Sequence, residues 1–172
     1  MFKAYPKTQR LENERYTLTE KLDGTNACII ISDDGKEIGA QSRTRLIMPE
    51  NDNYGFAKWV NHNKEELLEL GPGHHFGEWW GQGIQRNYNQ KEKQFSLFNV
   101  ERWTITSPPK CCQVVPVLIS GILIQDLIPY IDFYKNLLKI NGSIASPGFM
   151  NPEGIVIYCS LTNICYKEII NK

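Results

Sequence analysis

Short runs with the two-residue alternation of β-strands, cut by glycine-bearing turns, constrain this chain more than any other feature. Tyr16 to Glu20 alternate apolar and polar side chains, Ala27 to Ser32 form a short apolar run, and Gly24 punctuates the gap between them. Asp33-Asp34-Gly35-Lys36 has the composition of a hairpin turn and returns the chain into Glu37 to Ser42. His74 to Trp80 reads as a further strand, broken by Gly81-Gln82-Gly83, and Gln94 to Arg102 as another. Glu153 to Ser160 and Asn163 to Ile170 make a closing hairpin. Two helical blocks intervene. Asn51-Asp52-Asn53 offers N-cap chemistry for a helix from Tyr54 to Leu70, with Phe56, Trp59, Val60, Leu67 and Leu68 inward and Gly71-Pro72-Gly73 ending it. Ser120 to Ile140 also reads as helical, with a kink or split expected at Pro129. Strands in adjacent hairpins with two helical blocks predict an α+β fold built on antiparallel sheet.

The totals narrow the classes. A chain of 172 residues is expected to form one domain, 1–172, large enough to bury most of its apolar surface without staples. With 19 basic and 19 acidic residues the net charge is zero, which argues against a broad non-specific grip on nucleic acid but leaves room for a local basic groove. Met1-Phe2-Lys3-Ala4-Tyr5-Pro6 lacks a signal-peptide core, and no apolar run approaches a membrane span. Five cysteines (Cys28, Cys111, Cys112, Cys159 and Cys165), an odd number with no C-x-x-C spacing, predict reduced thiols, an intracellular (cytoplasmic) protein and no structural zinc.

Glu20-Lys21-Leu22-Asp23-Gly24-Thr25-Asn26 sets a lysine between two strands, where its ammonium can be aimed. Gly24, without a Cβ, permits close approach by a ligand. Taken alone, the Lys-x-Asp-Gly element reads more readily as a surface Lys-Asp pair in a tight turn than as a reactive site. Four further stretches raise its interest. Phe76-Gly77-Glu78-Trp79-Trp80-Gly81 carries a carboxylate flanked by glycines, and Phe95-Ser96-Leu97-Phe98-Asn99 offers an aromatic ring. Asn151-Pro152-Glu153-Gly154 brings a second carboxylate at a strand start, and Tyr166-Lys167-Glu168 a second lysine on the last strand.

In this order the stretches resemble the covalent nucleotidyltransferase superfamily of polynucleotide ligases and mRNA-capping enzymes. Within it, Glu-Lys-x-x-Gly-Thr-Asn and Gly-Glu-x-x-Gly-x-Gly-Ile-Gln resemble the ATP-dependent RNA ligases related to the second RNA ligase of phage T4. The likeness runs from about Glu20 to Lys167. It implies a nucleotidyltransferase (ATP-grasp-like) fold of antiparallel sheets flanked by helices. Lys21 is then the nucleophile that takes AMP from ATP. Glu20 helps read the adenine edge, Asn26 acts near the ribose, and Arg43, with Arg45 behind it, contacts sugar or nucleic acid. Glu78 bonds the ribose hydroxyls, Phe98 stacks on adenine, Glu153 acts with Mg²⁺ or Mn²⁺, and Lys167 contacts the α-phosphate. RNA ends, a 5′-phosphate and a 3′-hydroxyl, are the expected partners.

Elementary chemistry fits that division. An amine must lose its proton to attack phosphorus, and a nearby cation such as Lys167 or Mg²⁺ favours the loss. Mg²⁺ takes one or two carboxylates plus substrate oxygens, which suits Glu153. Two departures stand out. Ile169 occupies a place where the family usually carries a basic or hydroxyl residue, with Lys172 a substitute, and nothing after Lys172 supplies a C-terminal accessory domain. The chain is then a minimal ligase, a fragment, or one that relies on an accessory domain or protein for substrate capture. DNA nick joining, capping-type guanylyl transfer and a non-catalytic nucleic-acid-binding module remain the rivals.

Other conspicuous residues have plainer readings. His74 and His75 alternate faces, so one is expected buried or capping and the other solvated. Trp59, Trp79, Trp80 and Trp103 are expected in or near the core. Arg86, Lys91 and Lys93 read as solvated loop charges, or as a rim that tracks phosphates.

Overall fold

The computed structural model describes residues 4, 7, 8 and 14–170; Lys172 and most of the opening stretch lie outside them. The larger sheet is ordered β4 (Leu46–Ile47), β3 (Ile38–Ser42), β2 (Thr25–Ile31), β5 (Gly73–Gly81), β6 (Lys93–Leu97) and β7 (Cys112–Val114). The smaller is ordered β10 (Ile164–Ile169), β9 (Gly154–Cys159), β1 (Tyr16–Lys21) and β8 (Val117–Ile122). Neighbours pair antiparallel throughout except β6 and β7, which run parallel. The expected α+β architecture is present. The chain passes from the smaller sheet to the larger between β1 and β2, across Leu22-Asp23-Gly24, and back between β7 and β8, across Val115-Pro116.

Among the described residues, each sheet packs its main helices against one face. The larger sheet turns Ala27, Ile29, Trp79 and Phe95 towards α1 (Phe56–His62), α2 (Lys64–Leu67) and a 3-10 turn at Leu68–Leu70. The rings of Phe56, Trp59, Trp79 and Phe95 interlock there at centroid distances of 5.1 to 5.8 Å. The smaller sheet turns Tyr16, Leu18, Ile155 and Ile157 towards α4 (Leu127–Asn141), which buries Leu127, Ile131 and Leu138. Because side chains alternate along a strand, the opposite faces, carrying Thr17, Thr19 and Lys21 on β1 and His74, Phe76 and Glu78 on β5, line one shared cavity.

Three boundaries differ from the sequence reading. The helix expected over Tyr54–Leu70 is divided at Asn63, which leaves helical geometry at φ −102° and ψ 18° and donates its side-chain amide to the Trp59 carbonyl. Its start is held by Asp52, whose carboxylate accepts from the N–H groups of Ala57 and Lys58. The strand expected to run from Gln94 to Arg102 stops at Leu97, because Asn99 accepts from the Arg102 N–H and caps a short helix, α3 (Val100–Ile105). The block from Ser120 to Ile140 is strand at its start and helix only from Leu127. Pro129 falls in the first turn of α4, where backbone N–H groups have no intrahelical partner, so the helix runs unbroken to Asn141.

Close approach between strands explains one glycine of the larger sheet. A Cβ on Gly77 would lie 2.5 Å from the Ser96 carbonyl oxygen and 2.6 Å from the Phe95 ring, whereas one on Gly39 would meet nothing nearer than Ile30 at 3.9 Å. Gly77→Ala should therefore lower unfolding free energy by about 1–3 kcal/mol in urea titrations, as overpacking does. Gly39→Ala should stay within about 0.5 kcal/mol of the parent.

Candidate active site

The cavity between the sheets measures about 700 Å³ and has Lys21 in its wall. Lys21 ends β1 in register with Gly154, so the neighbouring Glu153 meets it from the next strand. The Lys21 Nζ donates to Glu153 Oε2 at 2.6 Å, and both side chains are largely shielded from water. Across the cavity, β2 and β5 set Asn26 directly opposite Glu78. Arg43, just past β3, is exposed and also lines the wall, as does Phe98 beyond the end of β6.

The crossing loop after Lys21 is held on every side. Glu78 Oε1 accepts the Gly24 N–H at 3.0 Å, and the Tyr88 hydroxyl accepts the Asp23 N–H at 3.0 Å while facing the Lys21 carbonyl at 3.4 Å. Leu22 is buried with Trp80, Tyr88, Val100 and Val115. Gly24 lies so near β5 that a Cβ would stand 2.4 Å from the Trp79 carbonyl oxygen and 2.7 Å from Trp80 Cβ. Glycine is thus needed here for proximity to protein backbone. Its expected use as an opening for ligand approach is not what the packing displays.

Arg86 departs from both of its sequence readings. It is neither a solvated charge nor a free rim cation: its Nε donates to Asp23 Oδ2 at 2.8 Å, and its Nη1 donates to the backbone and side-chain oxygens of Asn151 at 3.1 Å. Asp23 follows Lys21 by two residues and Asn151 precedes Glu153 by two. One guanidinium therefore ties together the two loops that carry the ion pair. Arg45 is exposed, donates to the Asn51 carbonyl and is not part of the cavity wall.

Two other expectations change. Glu20 borders the cavity, but alternation along β1 turns its carboxylate to the α4 side, where Oε2 accepts the N–H groups of Ile144 and Ala145. Only 1% exposed, it has its pKa raised by burial against the opposing pull of the Ser143 hydroxyl and those N–H contacts. An adenine-reading role for this side chain has no geometric support. Lys167 pairs with Val156, which pairs with Thr19, so it shares the face of Lys21; it is exposed and outside the cavity wall, which Cys165 enters instead. Of the histidines, His75 is buried and donates Nε2–H to the Gly71 carbonyl at 2.8 Å, and His74 is exposed, as expected.

Sequence reasoning passed over Tyr88, a buried anchor of the crossing loop, and the Asn151 carbonyl. Left-handed backbone at Gln85, Asn87, Tyr88 and Asn89 was foreshadowed only by the asparagines, which tolerate that conformation best. As for cations, no group of three or more His, Cys, Asp and Glu side chains among the described residues could hold a metal alone. Glu153 and Glu78 offer hard oxygens, suited to a cation that a ligand's own oxygens help to hold.

Burial also sets the charge of Glu78. Removal from water lifts its carboxyl from 4.5 to about 7, against the opposing pull of the Gly24 N–H, Lys21 and Arg43; Glu153 adds to the rise. A pKa higher in the folded state than in the unfolded chain means that stability is lost as pH rises from 4.5 to about 7, because the folded protein must then release a proton it holds. Glu78→Gln should become progressively more stable relative to the parent across that window and level off above it, as read by urea unfolding at several pH values. Tyr88→Phe, which strips the Asp23 N–H of its acceptor, should cost about 1–3 kcal/mol in the same measurement.

The geometry can be set beside known proteins. A family model described as RNA ligase matches residues 14–166. The fold is similar to that of Naegleria gruberi RNA ligase in several solved forms. One mutant with ATP and Mn superposes with a TM-score of 0.68 at 22% identity, covering 94% of this chain and 51% of that one. A second, also with ATP and Mn, gives 0.66 at 20%, covering 94% and 51%. A third, with AMP and Mn, gives 0.62 at 19%, covering 92% and 50%. The chain thus spans about half the length of the structures it matches. No curated protein matches the sequence.

Proposed function

We propose that this chain, which belongs to the RNA ligase family, uses Lys21 to take AMP from ATP and passes it to a 5′-phosphorylated RNA end for joining to a 3′-hydroxyl. The observation that carries the reading is the 2.6 Å contact of Glu153 with the Nζ of Lys21, which lines one cavity with Asn26, Glu78 and Phe98. A nucleotide needs an aromatic plate, polar groups for its sugar and a positioned nucleophile, and these five side chains supply them.

The first step forms an N–P bond between Lys21 Nζ and the α-phosphorus, breaks the bond to pyrophosphate, and releases the amine's proton. Phosphoryl transfer of this kind is mainly positioning and charge neutralisation. The ion pair with Glu153 aims the nitrogen and must open before attack; the carboxylate in contact with it is then a ready acceptor for the proton. Asn26 and Glu78, opposite one another, address the ribose, and Phe98 stacks on adenine. Lys167, on the same sheet face but exposed, would have to reach inward to meet the α-phosphate, whereas Arg43, like Lys21, lies close enough to Glu78 to favour its charged form. Solved Naegleria gruberi relatives hold ATP or AMP with Mn, and a divalent cation suits this wall, where Glu153 would hold it together with phosphate oxygens. Such a cation neutralises phosphate charge when bound. Arg86, Tyr88 and Gly24 keep the nucleophile loop in place throughout.

RNA ends are the proposed substrate, with an accessory domain or protein assisting capture, and the cell interior, where the cysteines would stay reduced, is the proposed setting. Among the described residues no helix is long and apolar enough to cross a membrane.

Incubation with radiolabelled ATP and Mg²⁺ should leave a label on the protein that survives denaturation and is absent from Lys21→Ala. Labelling by GTP alone would point to capping chemistry, and a folded protein that takes neither label would sink the enzymatic reading.

A further inference from the structure

The aromatic floor of the cavity is wider than one base requires. Gly77 pairs with Leu97, so the preceding and following residues, Phe76 and Phe98, stand side by side across β5 and β6 on the cavity face, joined by the Phe98 N–H to Phe76 carbonyl bond. Both rings are open, at 46% and 40% exposure, in a structure that buries Trp79, Trp80, Tyr88 and Phe95. Two residues back along β5, on the same face, the exposed ring of His74 lies with its centroid 6.2 Å from that of Phe76 and its plane 19° from parallel. All three line the cavity that contains Lys21. If Phe98 serves the adenine, Phe76 and His74 are left without a role. Burying them would stabilise the fold, yet they stay open in a strand interior.

Continuity and charge indicate the occupant. The same cavity is lined by Arg43, beside the proposed nucleotide position, and by Arg102, whose guanidinium donates to the Leu70 carbonyl and lies over the Trp103 ring, so cations as well as open rings border it. Successive same-face positions on a strand are about 6.8 Å apart, which lets the two β5 rings lie near-parallel beside one another. A π-face binds any nucleobase without sequence preference.

We propose that Phe76, backed by His74, is a second base-stacking subsite, which takes an unpaired base of the RNA end while Phe98 holds the adenine. The subsite rests on the nucleotidyl-transfer reading for its biological sense, but its test does not. A fluorescein-labelled, 5′-phosphorylated oligoribonucleotide is titrated with parent, Phe76→Ala, Phe76→Leu and Phe76→Trp, and anisotropy is read without ATP; a 2-aminopurine base in the same oligonucleotide reports stacking by its quenching. Loss of one base stack, about 1–3 kcal/mol, corresponds to a Kd weaker by roughly 5- to 160-fold. That loss is expected for Ala and for Leu, which keeps apolar bulk without a π-face, together with loss of quenching, whereas Trp should restore both. Thermal unfolding of the same variants shows that they fold. Affinity unchanged in Phe76→Ala, recovery by Leu, or absence of RNA binding by the parent would overturn the subsite. So would a loss of AMP labelling in Phe76→Ala as large as its loss of RNA affinity, since the ring would then belong to the adenine site. A parent protein that binds RNA through Phe76 but takes no label from ATP would retain the subsite and remove only the ligase reading.

Discussion

The crossing at Leu22-Asp23-Gly24 is the constraint on which the rest of the molecule depends. Two independently covered sheets have to meet with their bare faces opposed, and these three residues are the direct covalent link between β1 and β2. The link works because Gly24 can lie against the Trp79 backbone where any side chain would collide. The N–H groups of Gly24 and Asp23 are then satisfied from the larger sheet and its following loop, by Glu78 and Tyr88. The strand that ends in Lys21 is thereby fixed relative to β5, and the amine is fixed relative to Asn26, Glu78 and Phe98.

Arg86 extends the same logic to the partner of the amine. A planar guanidinium can satisfy several acceptors in a fixed arrangement, and here it addresses Asp23 and Asn151 together. Were either loop to drift, Glu153 and Lys21 would part, and the amine would lose the contact that aims it. Order in this site is therefore supplied mainly by residues that do not line the cavity, a familiar requirement where reacting groups must be held to fractions of an ångström.

Buried Glu20 and half-buried Glu78, both drawn out of water, have different roles. Glu78 keeps contact with the cavity, and its burial leaves it poised near neutrality. Glu20, one position before the nucleophile, faces away and fastens β1 to the turn after α4. Adjacent residues on a strand point to opposite faces, so a carboxylate beside the nucleophile in sequence need not stand beside it in space. The same alternation separates buried, hydrogen-bonded His75 from His74 on the open face.

The α+β architecture, the β2–β3 hairpin, the closing hairpin and the grouping of Lys21, Asn26, Glu78, Phe98 and Glu153 were legible in the sequence, because alternation, Asp-Gly turns and motif order are local or serial signals. Where local signals competed, the reading failed: Asn99 ended a strand that hydrophobicity alone would have continued, and Ser120 to Ile122 were drawn into β8 by pairing with β1. Long-range geometry was invisible for a simpler reason. Arg86 meets residues 63 and 65 positions away, and Glu20 meets amides 124 and 125 positions on. The sequence by itself determined which chemical groups are available and on which strands they ride. Only the tertiary structure decided which of them face the cavity and which brace it, since that choice is made by contacts between segments that carry no trace of one another in their local composition.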